Sequence, residues 1–371
     1  MPLYLTEDQV MLRDTARQLM AEEGSIAGQL RKYRDMGCKD GFGHALWKQM
    51  AELGFTGILI GEADGGLGLG HVEAGIVLEE IGRNLTPSPF LISAVAIVEA
   101  LKGTPHAERW FPGILAGDTV AALAVDEGPK HRPEAIAMRA ERAGNGFRLT
   151  GRKQFVVQGA SADLIVVAAR TEEGLTLFAV EKEAKGLEVE GVRLVDSSIG
   201  ARLDFQGVEV DSDAVVGEVG QGEAVLSRVL DAGRAGAASE MVGLGSAAMG
   251  MTVGYLKQRK QFGRLIGEFQ TLQHRSAHLY SELEIARSAA LKAQQLLDEG
   301  SPEAAAMVCV AKAKAGRAST LAVQEGVQMH GGIGMTDEYD IGLYMKRDRA
   351  LNELFGDANY HADKLARMKG Y

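Results

Sequence analysis

Apolar positions recur with a helical period at both ends of the chain and with a strand period in its middle. From Thr6 onward, Val10, Ala16, Leu19 and Met20 fall near one stripe, and Thr6 followed by Glu7 and Asp8 is a capped, acidic helix start. Further helices are expected around 43–53, 71–82 and 89–101. Between them lies GEADGGLGLG, whose Gly65, Gly66, Gly68 and Gly70 break regular structure and permit close backbone contact. After Gly117 the period changes: VAALAV, AIAMRAE, FRLTG, QFVVQG, DLIVVAA, LTLFAVE, LEVEGVRLV and LDFQGVEV are short, strand-like and separated by turn residues. Asn145-Gly146 between two of these runs signals a hairpin. From Gly222 helical runs return, to about Gln261, then over 269–298 and 302–329, with Gly300 ending one and Ser301-Pro302 starting the next.

The pattern predicts an α+β multidomain fold. It comprises an N-terminal α-helical domain (1–117), a middle β-barrel or sandwich domain (118–216) and a C-terminal α-helical bundle (217–371). The first run of the bundle is rich in Gly, Ala and Ser, which suits close helix crossing.

Charge and composition then narrow the function. A net charge of −10 over 371 residues offers no basic field for nucleic acid or an anionic membrane. No apolar stretch approaches the ~18 residues of a membrane span, and the early acidic residues do not read as a signal peptide. A cytoplasmic location is expected. Cys38 and Cys309 stand far apart and suggest packing roles, with neither a disulfide framework nor a metal site.

Two segments carry chemistry. In QRKQFG, at the end of a long helix, Arg259 offers a planar fork of donors suited to phosphate oxygens; a basic helix C-terminus offsetting the macrodipole is the plainer reading. In QMHGGIG, Gly331 and Gly332 let the backbone approach a bulky polar ligand that Gln328 can hydrogen-bond; a glycine pair that simply ends a helix is the alternative.

Together, Arg259-x-x-Phe262-Gly263 and Gln328-x-x-Gly331-Gly332, separated by two helices, resemble the acyl-CoA dehydrogenase family. The resemblance extends to LWKQMAELGFTGILIGEADGGLGLGHVEAGIVLEEIGR near the N-terminus and to FQTLQHRSAHL after the arginine. It implies an acyl-CoA dehydrogenase-like fold that holds FAD. Arg259, Phe262, Gln328, Gly331 and Gly332 would serve a neighbouring subunit's FAD, with Gln270 near its ribityl or adenine side. At least a dimer is implied, either a homo-oligomer (dimer or tetramer) or a heteromer with a paralogous subunit.

The same resemblance assigns the flavin ring to the β domain. Val125-Asp126-Glu127 stands where the family has Val-Thr-Glu, whose backbone amides face the flavin pyrimidine, and GPKHRPEA replaces the usual Gly-Ser-Asp continuation. Phe155–Gly159 stands where the family has Trp-Ile-Thr/Ser-Asn-Gly. Phe155 can cover the ring by stacking. Val157 lacks the hydroxyl offered to flavin N5, so a shifted redox potential is expected.

The implied reaction is α,β-dehydrogenation of an acyl-CoA thioester, with electrons passed to an electron-transfer flavoprotein. Family members place the glutamate base at one of two positions, which here fall on Gly356 and on Gly233 beside Arg234. Three readings follow. Asp357 supplies the carboxylate from one residue later, with Arg234 in the active site, as in a subgroup bearing Leu-Phe-Gly-Asp-Ala that includes small subunits of two-component dehydrogenases. Alternatively a paralogous partner supplies the base and this chain is a FAD-holding or structural subunit. In the third reading Asp357 caps the last helix of a flavoprotein of different chemistry, such as an oxidase or monooxygenase.

Overall fold

A computed structural model describes residues 3–371. Helices α1 (Glu7–Glu22), α2 (Lys32–Asp35), α3 (His44–Glu52), α4 (His71–Asn84), α5 (Ile97–Leu101) and α6 (His106–Leu115) come first. Eight strands follow: β1 (Ala121–Ala124), β2 (Arg139–Ala143), β3 (Gly146–Val157), β4 (Leu164–Arg170), β5 (Leu175–Glu181), β6 (Leu187–Arg193), β7 (Ile199–Asp211) and β8 (Val215–Val216). Then come α7 (Gly222–Leu256), the two short strands β9 (Lys260–Gln261) and β10 (Arg264–Leu265), and α8 (Gln270–Asp298), α9 (Ala304–His330), α10 (Ile341–Glu353) and α11 (Ala358–Met368). The order helices, strands, helices is the one that the periodicity predicts.

Thr6 caps α1 through a capping box, its hydroxyl accepting from the Gln9 amide while the Gln9 side chain accepts from the Thr6 amide. Two local expectations shift. The stretch 89–101 is a π-helical turn, Phe90–Ala96, running into α5, and its residues are buried. Ser93 donates to the Ala121 carbonyl and accepts from the Ala121 amide, tying this turn to β1. The hairpin between β2 and β3 turns on Gly144-Asn145, because Ala143 pairs with Gly146. Gly146 already lies in the ladder, where a Cβ would run into the Val210 carbonyl of β7.

The chain divides into two compact units. The sheet-bearing unit comprises Lys32–Gly70 and Pro87–Gly233. Its sheet has the order β6-β7-β3-β2-β4-β5-β8, with β1 parallel to β4. Phe147 of β3 and Phe178 of β5 are not on neighbouring strands, yet their rings meet edge to face at 5.2 Å, so the sheet curls around its core. Leu149, Val156, Ile165, Val167, Leu203 and Phe205 fill that core.

The helical unit comprises the chain up to Arg31, His71–Thr86 and Arg234–Tyr371. Here α4 crosses α7 almost backbone to backbone: a Cβ at Gly82 would run into the Glu240 carbonyl, and one at Gly243 into the Glu79 carbonyl. The small residues of α7 serve the close crossing that its composition predicts. Among the described residues, no helix is long and apolar enough to cross a membrane, and no cluster of His, Cys, Asp and Glu could hold a metal ion.

Candidate active site

The residues singled out in the sequence fall into three clusters, two in the helical unit and one in the sheet-bearing unit. The first lies where α7 and α9 end. Beyond α7, Arg259 is exposed, and Phe262-Gly263 is the two-residue turn joining β9 to β10. Both turn residues have positive φ, 53° and 79°, as a tight hairpin of the right twist demands. The turn carries Phe262 outward, 91% exposed, while Arg264 stacks over Phe269, 4.1 Å from its centroid.

At the other helix end, Gly331 has φ 64° and ψ −138°, a conformation for glycine. A Cβ at Gly331 or Gly332 would meet nothing within 4 Å, so internal packing does not require this pair. Gln270, Gln328, Gly331 and Gly332 are exposed. Exposed donors beside an open glycine pair suit a polar ligand. His330 is part of the internal structure. Its Nδ1 donates to the Gly326 carbonyl (2.7 Å), its Nε2 lies 3.1 Å from the Tyr339 hydroxyl, and burial holds its pKa below the ordinary imidazole value.

The second cluster is in the sheet-bearing unit, around Val125-Asp126-Glu127. Buried Lys153 on β3 donates to the Val125 carbonyl (3.1 Å) and to Glu127 Oε1 (2.7 Å). Glu127 also accepts from the amides of Ala137 (2.8 Å) and Met138 (2.9 Å). Gln154 holds the segment from its backbone amide to the Asp126 carbonyl (2.8 Å) and from its side chain to the Glu127 carbonyl (2.6 Å). The Asp126 carboxylate lies 2.9 Å from Nδ1 of His131, which folds back from the GPKHRPEA loop. Burial pushes the Lys153 ammonium down in spite of Glu127. Burial pushes Glu127 up, but the Lys153 ion pair and the two amides outweigh it and hold the carboxyl below its ordinary value.

Phe155 and Gln158, on the same strand and just beyond it, have φ of 55° and 63°. Phe155 sits in a β-bulge between β3 and β7, which re-aims its ring, and Val157 is half-buried at the strand end. The amide groups of Asp126 and Glu127 donate to no group of the chain among the described residues. The buried Gln158 Oε1 likewise has no partner. Unmatched donors and an unmatched acceptor beside an aromatic ring fit a flat heterocycle such as a flavin.

The third cluster is at the last helix. Arg234, fully buried on α7, donates from Nε to the Phe355 carbonyl (3.2 Å) and from Nη2 to the Tyr360 hydroxyl (3.4 Å). Asp357 caps α11, its Oδ1 accepting from the amides of Asn359 (3.0 Å) and Tyr360 (2.8 Å). Gly356, at one of the two glutamate positions of the family, has φ 101°, and a Cβ there would run into the Tyr360 ring. This turn accepts glycine, and the carboxylate that follows it is that of Asp357.

Sequence reading missed Lys153, His131 and buried Lys312, and gave Glu127 a backbone role only. Lys153 carried a signal: it shares strand parity with buried Phe147 and Leu149, and a lysine on an inward face needs a partner.

Comparison with known proteins covers the same ground. The family models described as Acyl-CoA dehydrogenase, N-terminal, middle and C-terminal domain match residues 6–118, 126–208 and 220–369. The chain is similar to a mitochondrial isovaleryl-CoA dehydrogenase of Solanum tuberosum (33% identical, covering 83% of this chain and 78% of the relative). It is also similar to a cyclohex-1-ene-1-carbonyl-CoA dehydrogenase of Geobacter metallireducens (29%, covering 96% of each). Among solved structures, the ChsE4-ChsE5 complex from Mycobacterium tuberculosis superimposes with a TM-score of 0.91 at 25% identity, covering 100% of both chains.

Proposed function

Because this chain belongs to the acyl-CoA dehydrogenase family of oxidoreductases, we propose that it binds FAD and dehydrogenates an acyl-CoA thioester between Cα and Cβ, with Asp357 as the base. The observation that carries the reading is the last turn: buried Arg234 is bonded to the Phe355 carbonyl, two residues before a carboxylate that the backbone holds in one place.

Asp357 would take the α-proton onto a carboxylate oxygen as the Cα–H bond breaks, with Arg234 fixing the turn that presents it. FAD, when bound, supplies the acceptor for the hydride that leaves Cβ. The Asp126 and Glu127 amides, Val125, Phe155 and Val157 would hold the ring. Arg259, Phe262, Gln270, Gln328, Gly331 and Gly332 would hold the distal part of a neighbour's FAD, making the site a property of an oligomer. An electron-transfer flavoprotein is the proposed electron acceptor.

The test is anaerobic bleaching of the bound flavin by isovaleryl-CoA and cyclohex-1-ene-1-carbonyl-CoA, chosen from the relatives' substrates. Wild type is expected to bleach with at least one of them, and Asp357→Asn with neither. The second reading, a subunit whose paralogous partner supplies the base, is favoured by the capping role of Asp357 and by the likeness to a two-protein complex. Bleaching that needs a co-expressed partner and survives Asp357→Asn would select it.

A further inference from the structure

Phe355 and Gly356 take left-handed conformations in succession, φ 60° and 101°. For a phenylalanine this conformation is strained and persists where the surroundings impose it. Three buried donors do so. The Phe355 carbonyl accepts from Arg234 Nε (3.2 Å) and lies 3.1 Å from His361 Nε2. The Gly356 carbonyl accepts from Lys312 Nζ (3.0 Å).

Lys312 lies on α9, 1% exposed, and its Nζ also donates to the Leu351 carbonyl (3.0 Å), with the Asn352 carbonyl at 3.5 Å. Burial, with Arg234 nearby, pushes the Lys312 amine down to about 7, and its N–H donors meet the carbonyls ending α10 and the one carbonyl immediately before Asp357. Helix C-termini leave such carbonyls unpaired, so one side chain both closes α10 and fixes the turn that follows. The rest of α10 is held to α9 separately, by Ser319 (2.6 Å) and Thr320 (2.9 Å) donating to Asp348.

We infer that Lys312 is a positioning residue for the reaction, setting the Phe355–Gly356 turn and through it the place of the Asp357 carboxylate. Its effect on catalysis rests on the proposed role of Asp357; its effect on the turn does not. Without the Nζ donors, the Leu351, Asn352 and Gly356 carbonyls lose this partner in a buried site and the turn relaxes toward ordinary dihedrals, while the Asp348 bonds keep α9 and α10 together.

The experiment uses the full-length FAD-loaded protein as wild type, Lys312→Met, Lys312→Gln and Asp357→Asn. Hydrogen exchange is followed at the Asn359 and Tyr360 amides, which Asp357 caps, against amides of α9. Activity is followed as exchange of the α-hydrogen of isovaleryl-CoA with D2O and as kcat and KM. Lys312→Met should lose protection at Asn359 and Tyr360 by about tenfold, the equivalent of one buried hydrogen bond, with α9 unchanged. Its α-hydrogen exchange and kcat should fall about a hundredfold, as expected for a misplaced group, with KM little changed. Lys312→Gln, which keeps a donor, should recover part of both, and it serves if the Met variant fails to fold.

Wild-type protection and turnover in a folded Lys312 variant would overturn the inference. So would wild-type turnover with a loosened turn, provided Asp357→Asn is inactive. Full activity of Asp357→Asn would instead refute the base assignment and with it the catalytic half of the inference, leaving the exchange data to decide whether Lys312 holds the turn.

Discussion

The rings of Tyr255 and His330 pack at a tilt of 34° with centroids 4.5 Å apart, joining the end of α7 to the end of α9. Arg259 follows the first ring by one helical turn, and Gln328 precedes the second by two residues, so segments 69 positions apart share one support (328 − 259 = 69). Nδ1 of His330 donates to a carbonyl, which leaves Nε2 to accept from Tyr339 in the neutral ring.

Protonation of His330 breaks that arrangement. Its pKa in the fold is depressed below the ordinary value, so the unfolded state binds the proton first as pH falls. The contribution to stability is full above about 6.5, the unfolded value, and is lost as pH falls from there toward the depressed folded pKa. Urea unfolding at pH 7.5 and 5.5 should show a larger acid loss for wild type than for His330→Gln. Equal losses would assign the acid sensitivity to other groups.

Lys153→Met should destabilise, by about 1–3 kcal/mol, because it leaves the half-buried Glu127 carboxylate without its cation. Adding Glu127→Gln should restore part of the loss. A double-mutant cycle by urea unfolding measures the coupling, and a value near zero would contradict the clamp described for residues 125–127.

The crossing of α4 and α7 gives a paired test. Gly243→Ala should cost about 1–3 kcal/mol by overpacking against the Glu79 carbonyl. Gly250→Ala on the same helix meets nothing and should stabilise by about 0.5–1 kcal/mol through helix propensity. Thermal unfolding of the two variants should move in opposite directions.

Arg259→Gln should release flavin. If the guanidinium meets a phosphate, its loss should weaken FAD binding by about 1.5–3 kcal/mol, read as a lower flavin-to-protein ratio after gel filtration with the circular dichroism spectrum unchanged. Full flavin retention would remove Arg259 from the site.

Much of this was legible in the chain, for identifiable reasons. Periods of 3.6 and 2 separate helices from strands because each face must be buried or wetted, and the Phe262-Gly263 and Gly331-Gly332 pairs mark where the backbone must turn or stay open. What was not legible depends on long-range partners. Lys312 and Lys314 stand two apart in an alanine-rich helix, and sequence alone does not say that the first is buried on carbonyls some 40 residues away while the second reaches Glu282. The turn on Gly144-Asn145 moved by one residue because Gly146 is needed against β7. The requirement for glycine at position 356, set by a φ of 101° and by the Tyr360 ring, likewise comes from the folded turn rather than from the local pattern.

The central claim is that this chain's own Asp357 removes the α-proton. It is tested most directly by α-hydrogen exchange of isovaleryl-CoA in D2O with purified, FAD-loaded wild type and Asp357→Asn, each with no partner present. The account predicts exchange by wild type and its loss in the variant, with FAD still bound. Exchange at the wild-type rate in Asp357→Asn would contradict it.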